Sequence, residues 1–346
     1  MSAQDFLGDS PSLDDYWRGI VLFGKNVASY KFALAQSLLE LAPNGKSLIA
    51  LDELAEPYAR HTLEHLRLCD SQSQQTSAPY PFLEACRQYN REEISYDQLI
   101  GITAKQGLEV VLKKFHNLNS SETPVSFFRN ERLGSRARVI ALTDELFRML
   151  ESNQAQNLQV EVEARWRLVE TAWELGISRN LIAVDYDADQ SLLFTQGNRR
   201  VNITSCRSAL NGYQKGKCFY CFGEISIVSG TEDLTDVDHF FPYVLRNAIK
   251  QPIDGVWNLV LACVTCNRGS GGKFDRLPHQ RFLERLHKRN EFFIGSHHPL
   301  GETISRPTGK SETHRRSCLI GNYNIAKTGR LINSNWQPVF EYPPAF

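Results

Sequence analysis

The sequence predicts an α+β chain in two parts, a mainly α-helical stretch over residues 1–178 and a mixed segment over 179–346. Three observations carry that prediction. The first half repeats apolar residues at helical spacing and is punctuated by helix breakers. Near residue 181 the texture changes to short strand-like runs joined by turns. Two Cys-x-x-Cys pairs then stand 42 residues apart in the second half, which marks a compact, metal-tied unit.

Taken in order, residues 14–42 read as helical and stop before the Pro43-Asn44-Gly45 breaker. Residues 51–69, 81–89 and 95–115 continue in the same style, with the polar loop 71–79 between the first two. Residues 161–176 place Val162, Trp166, Val169 and Trp173 near one face, which reads as core, and stop at Gly176 as a C-cap. Residues 181–187 and 191–203 read as strands and 203–214 as a helix. Residues 235–241 and 258–262 read as short strands, and the chain from Cys266 onward as entering a helix. Residues 277–293 are amphipathic, with Pro278 in the first turn, Phe282 and Leu286 inward, and Arg281, Arg285 and Arg289 outward. The tail 332–346 is irregular and aromatic.

Composition narrows the class. With 42% hydrophobic and 23% charged residues, the chain has the balance of an ordinary globular protein. It contains no apolar run of bilayer-spanning length, so no membrane partner is expected. The acidic N-terminus lacks the basic and apolar regions of a signal peptide, which predicts a cytoplasmic location. In a reducing compartment Cys69, Cys86, Cys206 and Cys318 read as small buried hydrophobes or surface thiols. Net charge is zero, but its distribution is not even. Residues 1–70 carry ten acidic against six basic groups, whereas residues 264–316 carry eleven basic against five acidic. That basic stretch is the local footprint expected of a phosphate-binding surface.

The chemistry concentrates between residues 218 and 273. Cys218 and Cys221 (KCFYCFGE) with Cys263 and Cys266 (LVLACVTCNRGSGGK) are the ligand set of a closed, tetrahedral structural Zn²⁺ site. Between the pairs lies Asp238-His239 (DVDHFFP), and Asn258 and Asn267 follow. A carboxylate beside a histidine, with an amide downstream, supplies what a hard metal ion and a general base need, and points to phosphodiester cleavage. Asp233 and Asp236 stand close enough to assist a metal, though such acids are more often solvated. His297-His298 read as a loop or cap feature. His61 and His65 share a helical face without a third ligand, so they read as ordinary helix residues.

Over roughly residues 215–300 the chain resembles the HNH, or His-Me finger, endonucleases in their zinc-stabilised form, with VDHFFP, WNLVLAC and CNRGSGGK as the matching elements. It departs from the family name at Asn267, which gives His-Asn-Asn and is similar to the cleavage module of some CRISPR effector nucleases. The resemblance implies a ββα-metal module. Asp238 and Asn267 would hold Mg²⁺ or Mn²⁺, His239 would be the general base, Asn258 would orient it, and Arg268 and Lys273 would pin phosphates. It further implies a DNA-nicking enzyme, with anti-phage defence or restriction as its setting and defence proteins as possible partners. Two alternatives stay open: a catalytically silent, zinc-stabilised nucleic-acid-binding protein, and an HNH nuclease acting on RNA.

Overall fold

The structure, a computed structural model, describes residues 6–24, 26–74, 80–118, 121–133, 137–174, 184–187, 190–195, 202–296, 298–328 and 334–346. Helices and small, mostly antiparallel sheets make an α+β arrangement. Among the described residues no helix is long and apolar enough to cross a membrane. The chain divides into two units, Asp9–Gly176 and Ile177–Phe346, and Met1–Gly8 sides with the second. The expected grouping of the first residues with the helical part thus differs from the structure. The reason is Phe6, which stacks on Phe292 at 5.4 Å and lies under the Lys215 ammonium at 4.5 Å. The C-cap read at Gly176 lies outside the described residues.

In the helical unit, α1 (Leu13–Leu22) starts at a capping box in which Asp15 N–H donates to the Ser12 hydroxyl and Ser12 N–H to the Asp15 carboxylate. The long helical run expected over 14–42 is two helices, α1 and α2 (Tyr30–Leu41). The break comes at Gly24, where a Cβ would lie 2.6 Å from the Ile20 carbonyl oxygen, so only glycine permits the close turn. α2 runs into a 3₁₀ turn and ends at Gly45 with φ 75°, as the Pro-Asn-Gly breaker predicts. α3 (Leu51–Leu68), α4 (Pro81–Asn90), α5 (Tyr96–Ile102) and α6 (Leu108–Lys114) follow, the last two joined by a π-helical turn. α7 (Asp144–Leu150) leads to α8 (Ala155–Glu174), where Val162, Trp166 and Val169 are fully buried and Trp173 nearly so. One feature is absent from the sequence expectation. β1 (Leu48–Ala50), β4 (Phe128–Leu133) and β5 (Ala137–Leu142) form an antiparallel sheet in the order β1-β5-β4, and β2 (Asn117–Leu118) pairs with β3 (Ser121–Glu122).

The second unit opens with the antiparallel sheet β6 (Val184–Asp187), β7 (Leu192–Thr195) and β8 (Asn202–Ser205), followed by α9 (Cys206–Gln214). β9 (Asp236–His239) and β10 (Leu259–Ala262) pair antiparallel, with His239 opposite Leu259 and Asp236 opposite Ala262. α10 (Val264–Arg268) comes next and has only five residues. A Cβ at Gly269, the C-cap, would lie 2.8 Å from the Thr265 carbonyl oxygen, so the tight exit from the helix takes glycine. β11 (Leu277–Pro278), α11 (Arg281–Gly295), α12 (Leu300–Thr308), α13 (Glu312–Thr328) and β12 (Ser334–Trp336) complete the unit, β11 and β12 pairing in parallel. Pro278 therefore lies in a strand and not in the first turn of α11.

A polar network is buried inside the helical unit. Arg18 on α1 donates through Nε and Nη2 to the Glu161 carboxylate on α8 at 2.8 and 3.0 Å, both side chains being shielded from water. His65 on α3 donates from Nδ1 to Glu170 at 2.8 Å and from Nε2 to Glu163 at 3.0 Å, and its ring stacks on Trp166 at 3.6 Å. Gln72 joins them, donating to Glu170 and accepting from the Trp166 indole, each at 2.8 Å. Burial alone would lower the His65 pKa, but the two carboxylates override it and raise it to about 9.

Because that folded value lies above the unfolded one, the His65 contribution is fully present below about pH 6.5 and is lost as pH rises through about 9. It amounts to roughly 3 kcal/mol at most. Thermal unfolding of wild type and His65→Gln, measured at intervals from about pH 6 to 10, should show a gap that closes across this window. A gap of constant size would count against a charged His65.

Candidate functional site

The four paired cysteines meet. Their sulfur atoms all lie within 4.8 Å of one another, and Cys221 and Cys263 are 3.8 Å apart. A tetrahedral zinc with arms of about 2.3 Å has sulfur–sulfur edges of about 3.8 Å, so the cluster fits a Zn²⁺ ion. Local backbone builds each half. Cys218 and Cys221 sit on the turn after α9, where Phe222 adopts φ 58° and Gly223 N–H donates to the Cys221 sulfur at 3.4 Å. Cys263 is the N-cap of α10, and its sulfur accepts from Cys266 N–H at 3.4 Å. The halves are tied independently of sulfur. Gln214 donates to and accepts from the Leu261 backbone, both at 2.9 Å, and Phe219 N–H donates to Leu261 O at 2.9 Å. Burial pushes the Cys218 thiol up, and Cys218 in turn pushes Cys266 up; donation from Cys218 draws Cys221 and Cys263 down.

Asn258 acts as a clasp. Its Oδ1 accepts from Phe241 N–H at 2.8 Å, and its Nδ2 donates to Phe241 O at 3.0 Å and to Ile253 O at 2.8 Å. It thus joins the start of β10 to both ends of the 240–257 loop. Gly255 is required in that loop: a Cβ there would lie 2.6 Å from the Trp257 ring and 3.0 Å from Pro252 O. The loop delivers Asp254 to His239, whose Nε2 lies 2.8 Å from Asp254 Oδ1. No local pattern marks Asp254, and the sequence reading missed it.

The remaining candidates separate. Asp238 is buried, with Oδ2 accepting from the Tyr220 hydroxyl at 2.5 Å and Oδ1 from the Lys273 ammonium at 3.1 Å. Lys273 was expected to pin a phosphate. Its side chain is instead wholly shielded and also donates to His239 O at 2.7 Å and Phe274 O at 3.3 Å. A carboxylate cut off from water draws in a counter-charge, and Lys273 supplies it. Burial pulls the Lys273 amine below its ordinary value, opposed by Asp238. No hydrogen bond links Asp238 to Asn267. The carboxylate that meets Asn267 is Asp236, whose Oδ2 accepts from Asn267 Nδ2 at 3.1 Å and from the exposed Arg268 Nε at 2.8 Å. Strand geometry explains this, since Asp236 and Asp238 share a face but Asp236 lies opposite Ala262, next to the corner that starts α10.

Part of the basic stretch is also turned inward, while Arg268, Arg281, Lys288, Arg306, Lys310 and Arg316 stay exposed. Arg289, expected on the outside of α11, is buried and donates to Val256 O at 3.2 Å and Trp257 O at 3.1 Å. Arg285 donates to Tyr220 O at 2.9 Å and covers the Phe222 ring at 4.0 Å. Arg315 pairs with Glu291 and Arg316 with Glu284. His297 lies outside the described residues; His298 is buried, and its Nδ1 accepts from Leu300 N–H at 3.3 Å, a cap role.

Elemental analysis should find about one zinc per chain. Cys221, Cys263 and Cys266 border a cleft of about 390 Å³, giving a chelator access to the cluster from the side of Cys263, the least buried of the four cysteines. Chelation or Cys266→Ser should unfold the second unit, and zinc-free protein with an unchanged circular dichroism spectrum would contradict this. Gly255→Ala should cost about 1–3 kcal/mol in chemical unfolding, because the Trp257 ring must give way. Compared with known proteins, the chain matches no family model, no curated protein and no solved structure.

Proposed function

We propose that the second unit is a metal-dependent endonuclease that nicks DNA, built on a zinc-stiffened ββα module of the HNH type. The observation that carries this reading is the constellation around β9. His239 is part-exposed with no hydrogen bond from Nδ1 to any described residue, Asn258 clasps the loop behind it, and the Asp236 carboxylate meets the Asn267 amide and Arg268 at the corner that starts α10. His239 takes a proton from water; the water oxygen forms the new bond to phosphorus while the bond to the 3′ oxygen breaks, and solvent protonates that oxygen. Products carry a 5′ phosphate and a 3′ hydroxyl. Asp236 and Asn267 are the side chains that would hold Mg²⁺ or Mn²⁺, a hard cation suited to carboxylate and amide oxygen. Such an ion, when bound, offsets charge developing on the phosphate. Asp238 would join them only by giving up Lys273. On the same resemblance, anti-phage defence or restriction is the biological setting we favour, with partner proteins aiding DNA binding.

A second reading, a zinc-stabilised nucleic-acid-binding protein without activity, draws support from one observation: Asp238 is already neutralised by Lys273. Nicking of supercoiled plasmid with Mg²⁺ separates the two. His239→Ala should lower the rate by about 10²–10⁴-fold, and Asn267→Ala should lower it with zinc content unchanged. Asp238→Ala is a poor probe, because it strands a buried ammonium at a cost of about 3–5 kcal/mol. Wild-type rates matched by His239→Ala would remove the assignment, and preferential cleavage of RNA in competition would replace DNA as the substrate.

A further inference from the structure

We infer that Asp254 is the positioning residue of His239: it holds the imidazole as the Nε2–H tautomer and leaves Nδ1 as the nitrogen able to take a proton. A carboxylate oxygen accepts and does not donate, so the 2.8 Å contact between Asp254 Oδ1 and His239 Nε2 puts the hydrogen on Nε2. Nδ1 makes no hydrogen bond to any described residue. The ring is flanked by Tyr243 at 5.9 Å in a tilted contact and by Tyr186 at 6.3 Å edge-on, centroid to centroid.

What raises this above a chance surface contact is how firmly the Asp254 backbone is held. Asn258 Nδ2 grips Ile253 O at 2.8 Å, one residue before it. Gly255 N–H, one residue after it, donates to Pro252 O at 3.0 Å, and the Trp257 indole donates to the same oxygen at 2.9 Å. Arg289, buried on α11, holds the Val256 and Trp257 carbonyls. Three elements thus converge to set one carboxylate, itself 43% exposed and of little use to the core, against one imidazole. The same contact fixes the ring's orientation while Nδ1 takes its proton.

The tautomer assignment stands on geometry alone, whereas its kinetic consequence rests on the nuclease reading. The test uses full-length, zinc-loaded protein at one fixed neutral pH, with the His239 ring ¹⁵N signals assigned by their loss in His239→Gln. Wild type should show a protonated Nε2 and an unprotonated Nδ1. Asp254→Ala should lose that pattern, and Asp254→Asn, which keeps an accepting oxygen, should retain it. In Mg²⁺-dependent plasmid nicking, Asp254→Ala should lower kcat by about 10–100-fold with KM unchanged, and Asp254→Asn should recover most of the loss. A ring pattern unaltered in Asp254→Ala, or a loss carried by KM, would overturn the inference. A shifted ring pattern in a protein whose wild type does not nick would uphold the pair and reject the nuclease reading.

Discussion

Four sulfur atoms crowded within 4.8 Å impose the constraint on which the second unit turns. α10 has five residues, too few to be stable by its own hydrogen bonds, and the β9–β10 ribbon has two strands, too few to stand alone. Both are placed because Cys263 and Cys266 bracket the corner between them while Cys218 and Cys221 hold the turn after α9. Gln214 aligns that turn with Leu261 before sulfur is considered, so an ion would lock a geometry that hydrogen bonds have already selected. Asn267 and Arg268 follow Cys266 directly, and their position is inherited from the sulfur corner.

A second theme is where the charges go. Chains with a basic segment commonly display it, yet here Lys273, Arg285 and Arg289 face inward and close hydrogen bonds to backbone carbonyls. The helical unit also turns Arg18 and His65 inward, there onto the carboxylates of Glu161, Glu163 and Glu170. Removing one member of such a pair costs more than the pair adds to stability, because the other is left buried and unpaired. These residues therefore fix which elements meet. They tie α1 and α3 to α8 in one unit, and α11 to the 252–258 loop in the other.

The proposed chemistry draws on both themes. A general base needs a defined tautomer and a fixed orientation, and both come to His239 from a loop that Asn258 closes and Arg289 anchors. The meeting of Asp236 with Asn267 depends on the strand register and on the sulfur corner. Asp238, between them in sequence, serves the interior through Tyr220 and Lys273. Three neighbouring residues on one short strand thus carry three different tasks.

Much of this was legible without coordinates. The four zinc-type cysteines, the strands over DVDH and LVLA and the core face of α8 follow from spacing and side-chain chemistry, which act over a few residues; the orienting task of Asn258 was only what the family resemblance implies. The sheet β1-β5-β4 was missed because β1 pairs with residues about ninety positions away, so its partner is invisible to a local pattern. The same limit applies at the site. Which aspartate meets Asn267, why Lys273 turns inward and that Asp254 reaches His239 are settled by pleat register and by closure of separations of 15 to 35 residues. Residue types and short spacings were determined by the sequence alone; the pairing of charges was decided only in the folded chain, because a buried charge takes whichever partner the packing brings within reach.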